Sequence, residues 1–154
     1  MLDPLINSIE VPCDQQKAFT IFIEQMTTWW PLDKFTTSAM GGAPAKEIRV
    51  DARAGGAIIE VGADDTEYPY GNIEAYDPYG FLSMWFHFGP PGVEITERTL
   101  VELTFETIDA NTTRVELRQS NWEALGDMAA DIRGGYEFGW KMIFEQGYAA
   151  ACSG

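Results

Sequence analysis

The sequence offers few side chains that could do chemistry, and His87 comes first because it is the only histidine in the chain. An imidazole can act as a general acid, a general base or a hydrogen-bond donor to a ligand near neutral pH. One histidine excludes a metal site with two histidine ligands, and Cys13 and Cys152 form no Cys-x-x-Cys pair. The sequence also lacks a phosphate loop, a dinucleotide fingerprint and a Gly-x-Ser-x-Gly elbow. We therefore predict no metal site, no cofactor and no assigned catalytic residue.

Two other polar residues are weighed beside His87. Ser83 stands four residues earlier, and along a strand this separates the two side chains by about 13 Å. That distance excludes a Ser–His nucleophile pair. Glu60 alternates with Ile58 and would be a candidate acid only if it pointed inward. We expect Glu60 to be solvated, as most carboxylates are.

Charge and hydropathy exclude several classes of partner. A net charge of −14 argues against nucleic acid and against anionic membrane surfaces, since both require clustered Lys and Arg. No apolar run approaches the ~20 residues that span a bilayer, and the N-terminal residues do not have the pattern of a signal peptide. We expect a single cytoplasmic domain over residues 1–154.

The hydrophobic period divides the chain into elements. A first strand over 5–11 is followed by a helix that Asp14 caps, and residues 36–45 are predicted to form a mobile loop. A period of two predicts six further strands, over 47–50, 57–62, 70–76, 81–88, 99–108 and 113–121. A long amphipathic helix over 127–151 follows, with Asp127 as its N-cap, and its apolar stripe consists of Met128, Ile132, Tyr136, Trp140, Ile143 and Gly147. This order predicts an α+β domain in which the last helix covers an antiparallel sheet.

Glycines interrupt that helix at positions 134, 135, 139 and 147. Each costs about 1 kcal/mol relative to alanine in a helix interior. Two explanations stay open: tight packing of the helix on the sheet, or a helix that closes a cavity. We expect Gly139 to lie at a close approach to the sheet or to a ligand.

Two turns predict the register of the sheet. A loop over 77–80 with Gly80 left-handed places Ile73 opposite Trp85 and Gly71 opposite His87. A similar loop at 109–111 places Leu103 opposite Leu117 and Val101 opposite Gln119. The face under the helix is then predicted to carry Ile73, Ala75, Phe81, Ser83, Trp85, Val101, Leu103, Phe105, Val115 and Leu117.

His87 and Gln119 project from one end of that face. An apolar concavity with a few convergent polar groups is typical of a small-molecule site. The predicted ligand-binding residues are Ser83, Trp85, His87, Leu103, Leu117, Gln119, Tyr136, Trp140 and Ile143.

A set of short motifs recurs in the order and spacing of a known family, over nearly the whole chain. The motifs are Ala18-Phe19, Trp29-Trp30-Pro31, Arg53-Ala54-Gly55-Gly56, Gly71-Asn72-Ile73, Asp77-Pro78 leading to Trp85, Thr113-Arg114-Val115 and Gly139-Trp140. The chain resembles the activator of heat-shock-protein-90 ATPase homologue-like family, in the START and birch-pollen-allergen (SRPBCC) superfamily. The resemblance implies a helix-grip fold: a curved antiparallel sheet of about six to seven strands wrapped around the long C-terminal helix. It also implies two short helices after the first strand and a cavity between sheet and helix.

Three functions stay open at this point. The first is a protein that binds a small apolar or aromatic molecule in the cavity. The second is a cofactor-free cyclase or dehydratase that uses His87 with Gln119 or Asn121 to polarise its substrate. The third is a chaperone-associated module that binds a protein partner, or a homodimer.

Overall fold

The computed structural model describes residues 2–154. Seven strands and five α-helices follow one another along the chain. The strands are β1 (Leu5–Val11), β2 (Ala45–Val50), β3 (Ala57–Gly62), β4 (Glu67–Asp77), β5 (Phe81–Phe86), β6 (Thr99–Asp109) and β7 (Thr112–Ser120). The helices are α1 (Gln15–Glu24), α2 (Met26–Trp29), α3 (Thr37–Met40), α4 (Ala129–Met142) and α5 (Ala149–Cys152).

All seven strands form one antiparallel sheet in the order β1-β7-β6-β5-β4-β3-β2. Strands β2 to β7 pair with their neighbours in sequence, as hairpins dictate, and β1 adds to the edge beside β7. The sheet curls into a half-barrel around the long C-terminal helix, which is the helix-grip fold that the resemblance implies.

Helix α1 forms where the sequence predicts it. The Asp14 side chain accepts a hydrogen bond from the Lys17 amide at 2.8 Å and caps the first turn. Phe19 and Phe22 recur at helical spacing and are buried, and Phe19 packs edge-on against Phe105 of β6 at 5.2 Å between ring centroids. The apolar face of the helix therefore packs against the sheet.

The C-terminal helical segment starts later than the sequence predicts. A 3-10 turn occupies Trp122–Met128, and Gly126 inside it adopts a φ of 69°, which breaks the regular helix. Helix α4 begins at Ala129, so the prediction that Asp127 is the N-cap is wrong. Met128 is 57% exposed rather than part of the buried stripe. From Ala129 the segment is continuous to Cys152, with a π-helical stretch at Ile143–Tyr148 between α4 and α5.

The close approach of this segment to other protein atoms lies at Gly147, so the predicted close approach of Gly139 to the sheet is wrong. A methyl group added to Gly147 would lie 2.7 Å from the Trp29 carbonyl oxygen. One added to Gly139 would meet the Phe35 ring at 3.7 Å, an ordinary van der Waals distance. Gly147 is required by packing against backbone, whereas Gly139 leaves room for a methyl group.

The register between β4 and β5 agrees with the prediction next to the turn and differs from it beyond Ala75. Ala75 lies opposite Ser83 as predicted, but the pairing then shifts, and Met84 instead of Trp85 lies opposite Ile73. A bulge at this point reverses the alternation of the two faces, and the Ser83 hydroxyl accepts the hydrogen bond of the Ala75 amide there, at 3.2 Å.

The face of β5 under the helix therefore carries other residues than predicted. It presents Leu82, Met84 and Phe86, all fully buried in the core. Ser83 and Trp85, together with Phe81, point to the opposite face, so their predicted inner-face positions are wrong. The Trp85 indole donates to the exposed Glu74 carboxylate at 3.0 Å. The predicted register of β6 and β7 is confirmed, with Leu103 opposite Leu117 and Val101 opposite Gln119.

Candidate functional site

A cavity of about 280 Å³ opens between α4, the segment after β5 and the segment that leads into α3. Its walls are mostly apolar. They consist of Lys34, Phe35, Met40, His87, Phe88, Gly89, Pro90, Ile132, Gly135, Tyr136, Gly139 and Ile143. The cavity thus lies at the open end of the half-barrel rather than along the middle of the sheet.

His87 is a buried titratable side chain of this cavity, and Tyr136 orients it, whereas Lys34, the one charged residue of the lining, is exposed. The His87 amide donates to the Tyr70 carbonyl at 3.0 Å, which continues the sheet pairing one residue beyond β5. The His87 Nδ1 lies 2.9 Å from the Tyr136 hydroxyl, and the Phe88 amide donates to the same hydroxyl at 3.2 Å. The phenol has no other acceptor within residues 2–154, so we assign its proton to the hydrogen bond with Nδ1. In this tautomer the neutral imidazole carries its own proton on Nε2.

The environment keeps both groups neutral at neutral pH. Burial lowers the pKa of His87, and the positive charge of Arg98 lowers it further. Burial raises the pKa of the Tyr136 phenol. Neither group carries charge when a ligand would bind.

With this tautomer, the Nε2–H of His87 is the neutral donor that the buried part of the cavity offers. Every buried side-chain nitrogen or oxygen within residues 2–154 has a hydrogen-bond partner. His87 is only 9% exposed, yet Nε2 has no partner in that range, so this atom is not fully buried. Because His87 lines the cavity, Nε2–H can donate one hydrogen bond to an acceptor placed there.

Three of the nine residues predicted for the ligand site line this cavity: His87, Tyr136 and Ile143. Leu103 and Leu117 are fully buried in the core beneath the helix. Ser83 and Trp85 lie on the opposite face of the sheet, because they alternate along β5 with the buried Leu82, Met84 and Phe86.

Gln119 and Trp140 do not line the cavity but connect α4 to the sheet by a hydrogen bond. The Trp140 indole donates to Gln119 Oε1 at 2.7 Å, and Gln119 Nε2 donates to the Thr99 hydroxyl at 2.9 Å. Thr99 in turn donates to the Phe86 carbonyl. The oxygen and the nitrogen of the Gln119 amide both form hydrogen bonds, so this side chain of β7 connects the helix to β6. The Trp140 ring fills the space between helix and sheet together with Trp30 and Phe86.

The sequence reasoning missed the wall formed by residues 34–40, most of which it treated as a mobile loop. Part of that segment is helix α3, which Thr36 caps by accepting a hydrogen bond from the Ala39 amide at 3.0 Å. Three small hydroxyl residues in a row, Thr36 to Ser38, were the available signal, because such residues favour N-caps.

Glu60 holds the first turn of α3 through hydrogen bonds, and the expectation that its side chain is solvated is wrong. Its side chain is 0% exposed. The carboxylate accepts hydrogen bonds from the Thr37 amide at 2.7 Å, the Ser38 amide at 2.8 Å, the Ser38 hydroxyl and the Tyr70 hydroxyl. Four donors satisfy the charge. Glu60 therefore holds one wall of the cavity in place and is not a free acid within it.

Residues 2–154 contain no group of three or more His, Cys, Asp and Glu side chains that could hold a metal ion. Within the same residues, no helix has both the length and the apolar character needed to cross a membrane.

Comparison with solved structures shows the same fold in several proteins. The chain is 24% identical to CalC, a self-sacrificing resistance protein from Micromonospora echinospora, with a TM-score of 0.71 over 97% of this chain and 94% of CalC. It is 22% identical to Txn09, an anthrahydroquino-gamma-pyrone synthase complexed with SUM, with a TM-score of 0.61 over 88% of each chain. A protein from Arthrobacter aurescens is 18% identical, with a TM-score of 0.68 over 97% of this chain and 85% of that one.

Comparison with curated protein sequences returned no match. The family model described as "Activator of Hsp90 ATPase homolog 1-like protein" matches residues 15–147, which include the first helix, strands β2 to β7 and most of the C-terminal helix. The resemblance in the sequence motifs is thereby confirmed, and the helix-grip fold is compatible with ligand binding and with cyclase-type chemistry. The chain belongs to the activator of Hsp90 ATPase homolog 1-like family.

Proposed function

We propose that the protein binds a small, mainly apolar molecule that carries a hydrogen-bond acceptor, in the cavity beside α4. The observation that supports this proposal is a mostly apolar cavity of about 280 Å³ into which one buried, neutral imidazole is fixed by its hydrogen bond to Tyr136. A carbonyl, ether or quinone oxygen suits this donor, and an aromatic or aliphatic body suits the walls.

The apolar walls supply most of the expected affinity. Burying ~100 Å² of apolar ligand surface contributes about 2.5 kcal/mol, from which the cost of association must be subtracted. The hydrogen bond to His87 adds specificity, because a ligand without an acceptor leaves the buried donor unpaired at a cost of about 1–3 kcal/mol. Ile143, Tyr136 and Phe35 would contact the body of the ligand.

The relatives support small-molecule chemistry on this fold without naming the ligand. Txn09 is a synthase whose structure was solved in complex with SUM, and CalC is a self-sacrificing resistance protein. At 22–24% identity these likenesses concern the fold.

Hydrogen bonds within the protein occupy the two residues that were predicted to assist His87 in catalysis, and this favours binding over catalysis. Both ends of the Gln119 amide are engaged in the core, and Asn121 donates to the Arg98 carbonyl at 3.0 Å. His87 would have to act alone in a cyclase or dehydratase. Recovery of the bound molecule unchanged after prolonged incubation supports a binding protein, and its conversion supports the enzyme.

Two neighbouring glycines of α4 provide a matched test. A methyl group added at Gly134 or Gly135 would meet nothing within 4 Å, but only Gly135 lines the cavity. Gly135→Leu should fill the cavity, whereas Gly134→Leu should not. Both variants gain ~0.8 kcal/mol in helix propensity, so their stabilities stay comparable.

The measurement is a titration with the neutral fluorescent probe Nile red and with a panel of flavones, followed by tryptophan emission. We expect wild type and Gly134→Leu to bind alike, and Gly135→Leu to bind at least about tenfold more weakly. His87→Ala should weaken carbonyl-bearing flavones more than hydrocarbons of the same size. Equal binding by both leucine variants would refute the proposed cavity.

A further inference from the structure

A second cavity of about 290 Å³ lies next to the first and shares residues 88–90 with it as a wall. Its other walls come from β4, from α3 and from the long connection between β5 and β6. They consist of Thr37, Tyr68, Pro69, Val93, Glu94, Ile95 and Arg98. Arg98 is the only cation among them.

Arg98 is positioned by contacts at both its side chain and its backbone. Its Nε donates to the Tyr70 carbonyl at 2.9 Å, and its carbonyl accepts from Asn121 at 3.0 Å. The two Nη groups donate no hydrogen bond within residues 2–154. Because every buried polar side-chain atom in that range has a partner, the Nη groups are accessible from outside the protein core. The guanidinium is thus half-buried and oriented, with its two outer nitrogens free.

Arg98 is the one arginine of six that has no acidic partner within residues 2–154. Acidic residues outnumber Lys and Arg by 24 to 10. Six of those ten cations have a carboxylate within 4.0 Å: Lys46, Arg49, Arg53, Arg114, Arg118 and Arg133. The charge of Arg98 instead acts on His87, whose pKa it lowers. A half-buried cation that an acidic protein leaves unpaired at a cavity wall points to an anion from outside.

We propose that the second cavity binds a monocarboxylate whose two oxygens pair with the free Nη groups of Arg98. A guanidinium forms such forked pairs with a carboxylate through two parallel hydrogen bonds. Tyr68, Pro69 and Ile95 offer apolar surface to the body of the molecule. Glu94 lies in the same wall and repels a second negative charge, so phosphate and other dianions are disfavoured. This proposal does not rest on the ligand proposed for the first cavity.

The test compares 2-naphthoate with 2-naphthamide, which have nearly the same shape but differ in charge. Calorimetric titration at 0.15 M salt should show naphthoate binding about tenfold or more tightly, because charge-assisted hydrogen bonds are roughly twice as strong as neutral ones. Arg98→Gln should abolish this preference, and Arg98→Lys should retain part of it. Lys141→Gln is the control, since Lys141 has no ion pair within residues 2–154, lies outside both cavities and changes the net charge equally when replaced.

Two further measurements distinguish binding in the second cavity from binding in the first, and one of them uses the wild-type protein, so it does not depend on the folding of a variant. Gly135→Leu, which fills the first cavity, should leave naphthoate affinity unchanged. Bound naphthoate should raise the pKa of His87 in wild type, as measured by NMR titration, because it offsets the charge of Arg98. Equal affinity of wild type for naphthoate and naphthamide overturns the proposal whatever the variants do. A preference that survives in Arg98→Gln but disappears in Lys34→Gln overturns it in favour of the first cavity.

Discussion

Substitution of Glu60 by glutamine tests the anchor beneath the cavity wall. The carboxylate accepts four hydrogen bonds, two of them from backbone amides of α3. Hydroxyl groups of Ser38 and Tyr70 can rotate to accept a hydrogen bond, but the amides of Thr37 and Ser38 can only donate. Whichever oxygen becomes the NH₂ group, it then faces one of these two amides at a distance of 2.7–2.8 Å.

The expected cost follows from that donor–donor contact. At least one backbone N–H loses its acceptor in a buried site, which costs about 1–3 kcal/mol. With a urea m-value of about 2 kcal/mol/M, the unfolding midpoint of Glu60→Gln should fall by about 0.5–1.5 M. The amides of α3 should also exchange with solvent faster, and Nile red affinity should fall because Met40 and Phe35 lose their fixed position.

The control is Glu47→Gln, the same chemical change on a partly exposed carboxylate of β2 that lies 4.0 Å from Arg49. That variant should stay within about 0.5 kcal/mol of wild type. Tyr70→Phe removes one donor from Glu60 and should cost about 1 kcal/mol. If Glu60→Gln unfolds at the wild-type midpoint, the carboxylate does not anchor α3 and our explanation of that wall fails.

The remaining predictions concern two glycines and one histidine. Gly147→Ala should lower the unfolding free energy, because the new methyl group would lie 2.7 Å from the Trp29 carbonyl oxygen, whereas Gly139→Ala should raise it by up to ~1 kcal/mol through helix propensity. Thermal unfolding of both variants checks this, and a stable Gly147→Ala would contradict it. Since burial lowers the pKa of His87, the unfolded chain takes up its proton first as the pH falls, and the stability that neutral His87 contributes declines below its usual pKa of about 6.5. The stability difference between wild type and His87→Asn, measured by urea unfolding from pH 7.5 to 5, should decrease toward acid, and a constant difference would contradict the buried neutral imidazole.

Local patterns were sufficient for most of the elements. The strands at Leu5–Val11 and Ala57–Gly62 have the predicted bounds, and α1 begins after the predicted cap. These features depend on neighbours within a few residues, so a period of two or a capping side chain indicates them directly. The pairing of Leu103 with Leu117 was predictable for the same reason, because a short hairpin loop sets it.

The face of β5 could not be predicted from its own residues. Its sequence, FLSMWF, is apolar on both sides except for Ser83, so alternation gives no direction. The direction depends on the bulge in β4 near Glu74, which shifts the pairing between Ile73 and Ala75. A shift of one residue moves every following side chain to the other face, and for this reason Trp85 was assigned to the wrong side.

By itself, the sequence determined the fold class, the long C-terminal helix and His87 as the polar residue of interest. The position of the cavity was decided only by tertiary structure. The Glu60 carboxylate accepts from the amide of Thr37, which is 23 residues away in the chain. Arg98 donates to the Tyr70 carbonyl, which is 28 residues away. A carboxylate can be buried only where distant hydrogen-bond donors come within about 3 Å of it. An arginine has no ion pair where no carboxylate comes within about 4 Å. The local hydrophobic period of the sequence does not encode either distance.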